Sequence, residues 1–247
     1  MSLRAFSALA LALSCCLAPA RAVSSGLQVS PVTLTIQPDQ SADGVWASNA
    51  GISTLHAQVR VYRWTQEAGE DKLHPTEEMV VSPPMVKLGP NDRQLVRTLR
   101  PGPPPSGATE HAFRLLIDEI PAASQGQAPS DGLKFLLRYS LPIFLAPNEG
   151  AAPMQLHWSL VLRRGRHMLQ VFNAGGTHAQ LADVSYTDIH GRRSLLHVGL
   201  LGYVLPGATM QWPIQASPAR PDHTGVWDAT VNGRAIRPTV KIETFSP

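Results

Sequence analysis

The chain has 247 residues, of which 43% are hydrophobic and 16% charged, with a formal net charge of +3 at pH 7. This length favours two domains, and the charge balance lacks the clustered excess of lysine and arginine that nucleic-acid binding requires. No later stretch approaches the roughly 20 apolar residues of a membrane-spanning helix, so membrane insertion is not expected.

The first 22 residues have the pattern of a secretory signal peptide. Arg4 precedes an uncharged apolar run, and Ala20 and Ala22 form the small-residue site that signal peptidase cleaves. Cleavage after Ala22 removes two of the 21 basic residues, Arg4 and Arg21, and leaves 19 basic against 18 acidic residues. We therefore expect an exported mature protein with almost no net charge.

Both cysteines, Cys15 and Cys16, lie inside this segment, so the mature chain contains no disulfide. Packing alone must then hold the exported protein together, which a chain of this length can achieve. Leu13, three residues before Cys16, leaves a lipoprotein interpretation open, but Cys15 is a poor residue before a lipidated cysteine.

The first half of the mature chain contains short stretches with the period of two that is typical of strands, separated by turn signals. Two of them contain prolines, Pro31 and the Ser82–Pro84 segment, where a strand must lie at an edge, kink or change its partner. Seven strands at this spacing indicate an antiparallel sandwich of the immunoglobulin type. The predicted strands lie within residues 26–37, 45–48, 55–64, 79–88, 94–99, 112–117 and 131–147.

The last of these stretches, residues 131–147, has the most continuous apolar row. The opposite face is polar at three of five positions, and Pro142 favours an edge position because proline donates no ladder hydrogen bond. Periodicity leaves two interpretations open: the row fills the core of its own sandwich, or it faces a partner. The row consists of Leu133, Phe135, Leu137, Tyr139 and Leu141.

Beyond Pro147, the polar and proline-bounded residues 148–154 predict a linker to a second, smaller all-β domain at 155–247. The two halves share a short internal sequence repeat, since Asn49-Ala50-Gly51 and Asn173-Ala174-Gly175 both end a predicted strand. The strands predicted for the second half are Trp158–Leu162, His167–Phe172, Leu181–Tyr186, Met210–Ile214 and Val226–Val231.

The sequence shows none of the residue patterns that are typical of an enzyme's active site. The nine histidines are scattered singly, and neither a nucleophile motif nor a phosphate-binding glycine loop is present. Asp118 and Glu119 point to opposite faces of a strand and are poorly placed for shared acid and base work. We expect a protein without catalytic residues, metal or cofactor.

Several motifs, in this order and spacing, resemble those of the periplasmic pilus chaperones of the chaperone-usher pathway, a PapD-like superfamily, and most closely its archaic, Csu-like branch. They are LQVSPVTLTI at 27–36, QVRVYRW at 58–64, SPP at 82–84, QLVR at 94–97, FRLLIDEIP at 113–121, LRYSLPIF at 137–144 and GLLGYVLPGATMQW at 199–212.

The resemblance implies two immunoglobulin-like β-sandwich domains in a boomerang arrangement, with a first domain at 23–147 whose last strand is lent to an incomplete pilus subunit. Such strand addition combines main-chain hydrogen bonds with alternating side chains. Leu133, Phe135 and Leu137 match the family's donor positions, and Tyr139 extends them. The implied partners are pilus or fimbrial subunits and an outer-membrane usher, and the implied location is the periplasm.

One departure concerns the subunit's terminal carboxylate. Well-studied chaperones hold it with an arginine on the first strand and a lysine on the last, where this chain has Thr33 and Pro142. The branch resemblance points to Arg114 instead, which should project from the face opposite its apolar neighbours and whose fork suits a bidentate contact. Arg138, on the donor strand itself, is the second candidate anchor.

An alternative from another functional class is a secreted two-domain adhesion or carbohydrate-binding protein. Its contact surface would consist of exposed aromatic residues such as Trp46, Trp64 and Trp212. The sequence leaves open which subunit is bound, whether free chains self-associate to cover the donor strand, and what the second domain's loops do.

Overall fold

The computed structural model describes residues 26–121, 136–214 and 224–243 as strands, turns and loops. In those ranges no helix is long and apolar enough to cross a membrane. The predicted signal peptide and two predicted donor residues, Leu133 and Phe135, lie outside the described residues.

The first sandwich combines two sheets. One has the strand order β1-β3-β8-β6, and the other has the order β2-β10-β9-β4-β5 with β7 also paired to β4. The strands are β1 Leu27–Ser30, β2 Leu34–Ile36, β3 Ala42–Asn49, β4 Leu55–Glu67, β5 Glu70–His74, β6 Val80–Ser82, β7 Met85–Leu88, β8 Arg93–Leu99, β9 His111–Ile120 and β10 Arg138–Leu145.

Alternating apolar residues build the core between these sheets, as the period of two predicts. Val59 on β4 lies opposite Ile117 on β9, and Val61 lies opposite Leu115. Val59, Leu115 and Ile117 are at most 1% exposed, and they belong to one cluster that also contains Leu141 of β10. The residues between them point to the other face of the sheet, where the candidate site lies.

Prolines divide two of the predicted strands between sheets. The predicted opening strand is in fact β1, which pairs with β3, and β2, which pairs with β10, with the cis peptide Ser30–Pro31 between them. Val32 lies in this crossover and is 62% exposed, so the period-two row of the opening stretch, which contains Val32, Leu34 and Ile36, is buried only at Leu34 and Ile36. At the second proline site, β6 pairs with β8 and β7 pairs with β4, which confirms the predicted change of partner.

The second sandwich has its own core. Its sheets have the orders β16-β12-β11-β19 and β14-β13-β17-β18, with β15 also paired to β13. Trp158, Val171, Tyr186, Trp227 and Val231 belong to its buried cluster. The strands are β11 Leu156–Arg163, β12 Arg166–Asn173, β13 Ala179–Thr187, β14 Arg193–Leu195, β15 Leu200–Val204, β16 Thr209–Pro213, β17 Val226–Val231, β18 Arg234–Ile236 and β19 Val240–Glu243.

The predicted all-β architecture of two sandwiches is confirmed, but five of the described strands, β5, β14, β15, β18 and β19, are not predicted from the sequence. Most of them are three to five residues long and have little alternation; β5, for example, is EDKLH and mostly exposed. Strands of this kind exist because a longer neighbour offers hydrogen-bonding partners, which sequence periodicity does not report.

Candidate functional site

Strand β10 has two partners for only part of its length. All eight of its residues pair with β9, from Arg138 opposite Asp118 to Leu145 opposite His111. On its other side, β10 pairs with β2 only at Ile143 to Leu145. Along residues 138–142 this second side has no partner among the described strands, because the chain preceding β2 crosses to the other sheet as β1. We call residues 138–142 of β10 the open edge.

The hydrogen bonds at both ends of β10 fix which backbone groups face the open edge. Glu119 N donates to Leu137 O at 2.9 Å on the β9 side, and Ala146 N donates to Ile36 O at 3.0 Å on the β2 side. Because successive residues of a strand direct their backbone groups to alternate sides, the groups of Arg138 and Ser140 face the open edge. Pro142, which has no N–H, lies where that edge meets β2.

The odd-numbered side chains of β10 face the core of the first sandwich. Leu141, Ile143 and Leu145 are buried there, whereas Leu137 and Tyr139 are partly buried against the same cluster. The Tyr139 hydroxyl donates to Leu27 O at 2.9 Å. The two described donor candidates, Leu137 and Tyr139, therefore contact the chain's own core, and the other two, Leu133 and Phe135, lie outside the described residues.

Arg138, the second candidate anchor, is already paired. Its guanidinium donates to one carboxylate oxygen of Asp118, and that of Arg60 donates to the other. Burial pushes the pKa of Asp118 upward, but hydrogen bonds from Arg60 and Arg138 outweigh it and hold this pKa below its ordinary value. The sequence indicates no such cluster, because the three residues meet only through the register of β4, β9 and β10.

Arg114, the first candidate anchor, projects from β9 between Tyr62 of β4 and Pro142 of β10. Its Cζ lies 3.6 Å from the centroid of the Trp64 ring, and its Nη1 donates a long hydrogen bond of 3.4 Å to Ser140 O. Among the described residues no carboxylate forms an ion pair with it. Burial lowers the pKa of Arg114 from its ordinary value, and the nearby Asp71 carboxylate partly opposes this effect.

The two positions that hold the subunit's carboxylate in well-studied chaperones supply no second cation beside Arg114. Thr33 is exposed just before β2, and Pro142 is buried directly opposite Arg114. Neither side chain can pair with a carboxylate as a cation does. Of the two candidates named from the sequence, Arg138 is paired with the Asp118 carboxylate, whereas Arg114 has no ion-pair partner among the described residues.

A small aromatic cluster joins the two sandwiches beside Arg114. It contains Trp64, Ala112 and Phe144 of the first and Tyr203, Leu205 and Ala208 of the second. His178 stacks on Phe144 with ring centroids 3.5 Å apart, and both its backbone N and its Nδ1 contact Glu110 Oε1, at 2.6 and 2.8 Å.

The three tryptophans of the adhesion alternative do not form one surface. Trp64 is 1% exposed in the interdomain cluster, and Trp212 packs on the core of the second sandwich. Trp46 is 43% exposed on the far sheet of the first sandwich, where Arg93 Cζ lies 4.8 Å from its ring centroid. Nor do the described residues contain a group of three His, Cys, Asp or Glu side chains placed to hold a metal ion.

Comparison with solved structures identifies the class of fold as that of two-domain immunoglobulin-like chaperones. The complex of the chaperone CsuC with the tip adhesion subunit CsuE, from archaic chaperone-usher Csu pili of Acinetobacter baumannii, matches with a TM-score of 0.68 and 22% identity, covering 88% of this chain and 99% of that chain. The Salmonella enterica SafA pilin complex with the SafB chaperone matches at 0.60 and 18%, covering 86% and 95%. The periplasmic chaperone SfaE matches at 0.55 and 13%, covering 87% and 100%.

The chain belongs to the family of pili and flagellar-assembly chaperones. The profile of their PapD N-terminal domain matches residues 26–151, which contain β1 to β10 and therefore both the open edge and Arg114. This match confirms the resemblance to PapD-like pilus chaperones. A comparison with curated protein sequences finds no match.

Proposed function

We propose that the mature chain is a periplasmic chaperone that folds and caps pilus subunits by strand addition along the open edge of β10 and then passes them to an outer-membrane usher. The observation that carries this proposal is the open edge itself, where backbone groups without a partner strand run beside a row of apolar side chains. An unpaired strand edge offers main-chain hydrogen bonds to an incoming strand, and the alternating side chains determine which strand fits.

The side-chain row explains how one strand can serve two cores. Leu141, Ile143 and Leu145 are buried in the chain's own sandwich with Leu137 packed against the same cluster, and the apolar period of two in the sequence extends upstream to Phe135 and Leu133. A subunit that lacks its last strand would receive Leu137 and the two residues that precede it in the sequence row, Leu133 and Phe135, in place of its own missing side chains. Burying three or four large side chains contributes on the order of 5–10 kcal/mol before ordering costs, enough to decide whether the complex holds.

In this proposal, Arg114 binds the terminal carboxylate of the subunit. Its guanidinium lies one strand away from the open edge, partly buried and without an ion-pair partner among the described residues. A carboxylate reaching it forms charge-assisted hydrogen bonds, which are about twice as strong as neutral ones. This contact fixes the register of the subunit along β10.

Export and partners follow from the sequence pattern and the relatives. Residues 1–22 carry the signal-peptide pattern, and SfaE is a periplasmic chaperone. The CsuC and SafB matches are chaperones seen in complexes with pilus subunits. No cofactor or nucleotide is needed, because folding of the subunit supplies the driving force.

The test is a pull-down of tagged mature protein from its own periplasm, followed by mass spectrometry, beside a variant with Leu133→Ser, Phe135→Ser and Leu137→Ser. We expect small exported β-rich subunits to accompany the parent stoichiometrically and to disappear with the variant. Leu136→Ser is the matched control, since Leu136 is 49% exposed and lies out of phase with the row. Recovery of the same partners by the triple variant, or of no subunit by the parent, would reject strand donation and favour the adhesion alternative.

A further inference from the structure

The guanidinium of Arg114 lies in a corner made by two aromatic rings from different domains. Trp64 belongs to the first domain and Tyr203 to the second, and their centroids are 5.4 Å apart with the ring planes at 81°. Arg114 Cζ is 3.6 Å from the Trp64 centroid and 5.3 Å from the Tyr203 centroid. One face of the cation is therefore covered by the indole, while the phenol ring lies beside it.

Hydrogen bonds across the domain boundary hold Tyr203 in this position. The Gln66 side chain on β4 donates to Tyr203 O at 2.9 Å and accepts from Leu205 N at 2.8 Å. Within the second domain, Gln180 Nε2 donates to the Tyr203 hydroxyl at 2.9 Å. Tyr203 is only 8% exposed, so both its ring and its backbone are fixed.

The other wall is fixed by the β4–β5 hairpin. Trp64 Nε1 donates to Asp71 Oδ1 at 2.9 Å, and Gln66 Nε2 donates to the same oxygen at 2.9 Å. Gln66 thus connects the carboxylate that orients Trp64 with the backbone that orients Tyr203. The two rings and the interdomain hydrogen bonds form one connected unit around Arg114.

We propose that the second domain completes the carboxylate site, with Tyr203 and Trp64 acting as positioning residues that hold the Arg114 guanidinium for the subunit's terminal carboxylate. This inference rests on the proposed function. Stacking on an aromatic face uses the π-face of a guanidinium and leaves its in-plane N–H groups for bidentate hydrogen bonding. An arginine held in advance loses less freedom when its ligand arrives.

The geometry also ties carboxylate capture to the arrangement of the domains. A shift of the second domain that withdraws Tyr203 would leave Arg114 stacked on Trp64 alone and free to rotate. Arg114 is partly desolvated, and no carboxylate among the described residues forms an ion pair with it. Its interaction with an incoming carboxylate is therefore stronger than in bulk water. Recognition of the subunit's end is therefore a property of both domains, although the open edge belongs to the first.

The test compares Tyr203→Leu, Tyr203→Phe and Leu205→Ala in the full mature chain. Leu205→Ala disturbs the same interdomain cluster without removing a ring from Arg114. The probe is a subunit recovered in the pull-down, prepared once with a free C-terminal carboxylate and once as the C-terminal amide. We expect the parent, Tyr203→Phe and Leu205→Ala to prefer the carboxylate by about tenfold to a hundredfold, and Tyr203→Leu to lose most of this preference.

A second readout needs no subunit. In the parent, the Nη protons of Arg114 should give separate NMR signals because its rotation is restricted, and in Tyr203→Leu these signals should average. In an Arg114→Ala background, Tyr203→Leu should change the carboxylate preference no further.

An unchanged preference in Tyr203→Leu, or averaged signals in the parent, overturns the role of the second domain while strand addition stands. A parent that binds the amide as tightly as the carboxylate overturns the anchor as well. A parent that binds no subunit at all overturns the proposed function.

Discussion

At the scale of single residues, the candidate site distinguishes two arginines that the sequence presents as alternatives. Arg138 lies in the open edge and Arg114 lies on the neighbouring strand β9, but only Arg138 is paired with a carboxylate, that of Asp118. Their sequence neighbours give no sign of this difference, because Asp118 is placed beside Arg138 only by the register of β9 and β10. Trp64 shows the same limit: an aromatic residue expected at the surface is fully buried, since the second domain covers it.

The cluster of Asp118 with Arg60 and Arg138 predicts a particular pH dependence of stability. The folded pKa of Asp118 lies below its ordinary value of about 3.9, so the stabilisation is present above that pH and is lost as pH falls through the folded pKa. Asp118→Asn removes the charge at all pH values. We expect it to lower the free energy of unfolding of the first domain by about 1–2 kcal/mol at pH 6.

Urea unfolding at pH 6 and pH 3 measures this effect. The parent should lose more stability between the two pH values than Asp118→Asn does. Asp39→Asn is the control, since Asp39 is exposed, and it should follow the parent at both pH values. Parallel losses in the parent and Asp118→Asn would show that the cluster contributes nothing to acid sensitivity.

At the scale of elements, period-two rows predict most of the first sandwich. Leu55, Ala57 and Val59 on β4 and Phe113, Leu115 and Ile117 on β9 alternate cleanly, and each row is buried as expected. The prolines at 31 and 83 likewise mark the places where strands change sheets. The open edge cannot be predicted in this way, because it depends on where β2 begins to pair with β10 and not on the residues of β10.

The direction of the backbone groups at the open edge leads to a prediction about Ser140. Its N–H faces away from β9, so Ser140→Pro removes a donor from the open edge and leaves the β9 ladder intact. We expect subunit affinity to fall by about threefold to tenfold, the effect of one main-chain hydrogen bond, with the fold unchanged.

Ser140→Ala is the matched control, since it removes the hydroxyl and keeps the N–H, and it should bind like the parent. Affinities from calorimetry, with circular dichroism as the check on folding, decide the outcome. Equal affinity of the parent and Ser140→Pro would place the incoming strand elsewhere.

At the scale of the whole molecule, the two sandwiches repeat one pattern. Asn49 and Asn173 end strands at matching places, each accepts a hydrogen bond from the backbone N two residues later, and each donates to the carbonyl four residues later, at Ser53 and Thr177. Both side chains are almost completely buried. The three-residue Asn-Ala-Gly repeat in the sequence therefore reflects a shared local structure. The open edge and Arg114 belong to the first domain alone.

The contact between the sandwiches includes a cluster of buried side chains from both domains, and Phe144 touches several of its members. It is 0% exposed, it stacks on His178 of the second domain, and its centroid is 6.2 Å from those of both Trp64 and Tyr203. Phe144→Ala should cost about 3–5 kcal/mol, because it removes buried surface and leaves a cavity. Since that cavity lies between the domains, the variant should unfold in two separate steps.

Differential scanning calorimetry of the mature chain tests whether Phe144 couples the domains. We expect one transition in the parent and two in Phe144→Ala, the later one being that of the unperturbed domain. Phe172→Ala is the control, because Phe172 is 36% exposed on β12 of the second domain, stacks on His157 and does not belong to the interdomain cluster. A single transition in Phe144→Ala, merely shifted to lower temperature, would mean that the two domains remain coupled without the Phe144 ring. Other contacts, such as the hydrogen bonds of the Gln66 side chain with Tyr203 O and Leu205 N, would then hold the second domain and Tyr203 in place beside Arg114.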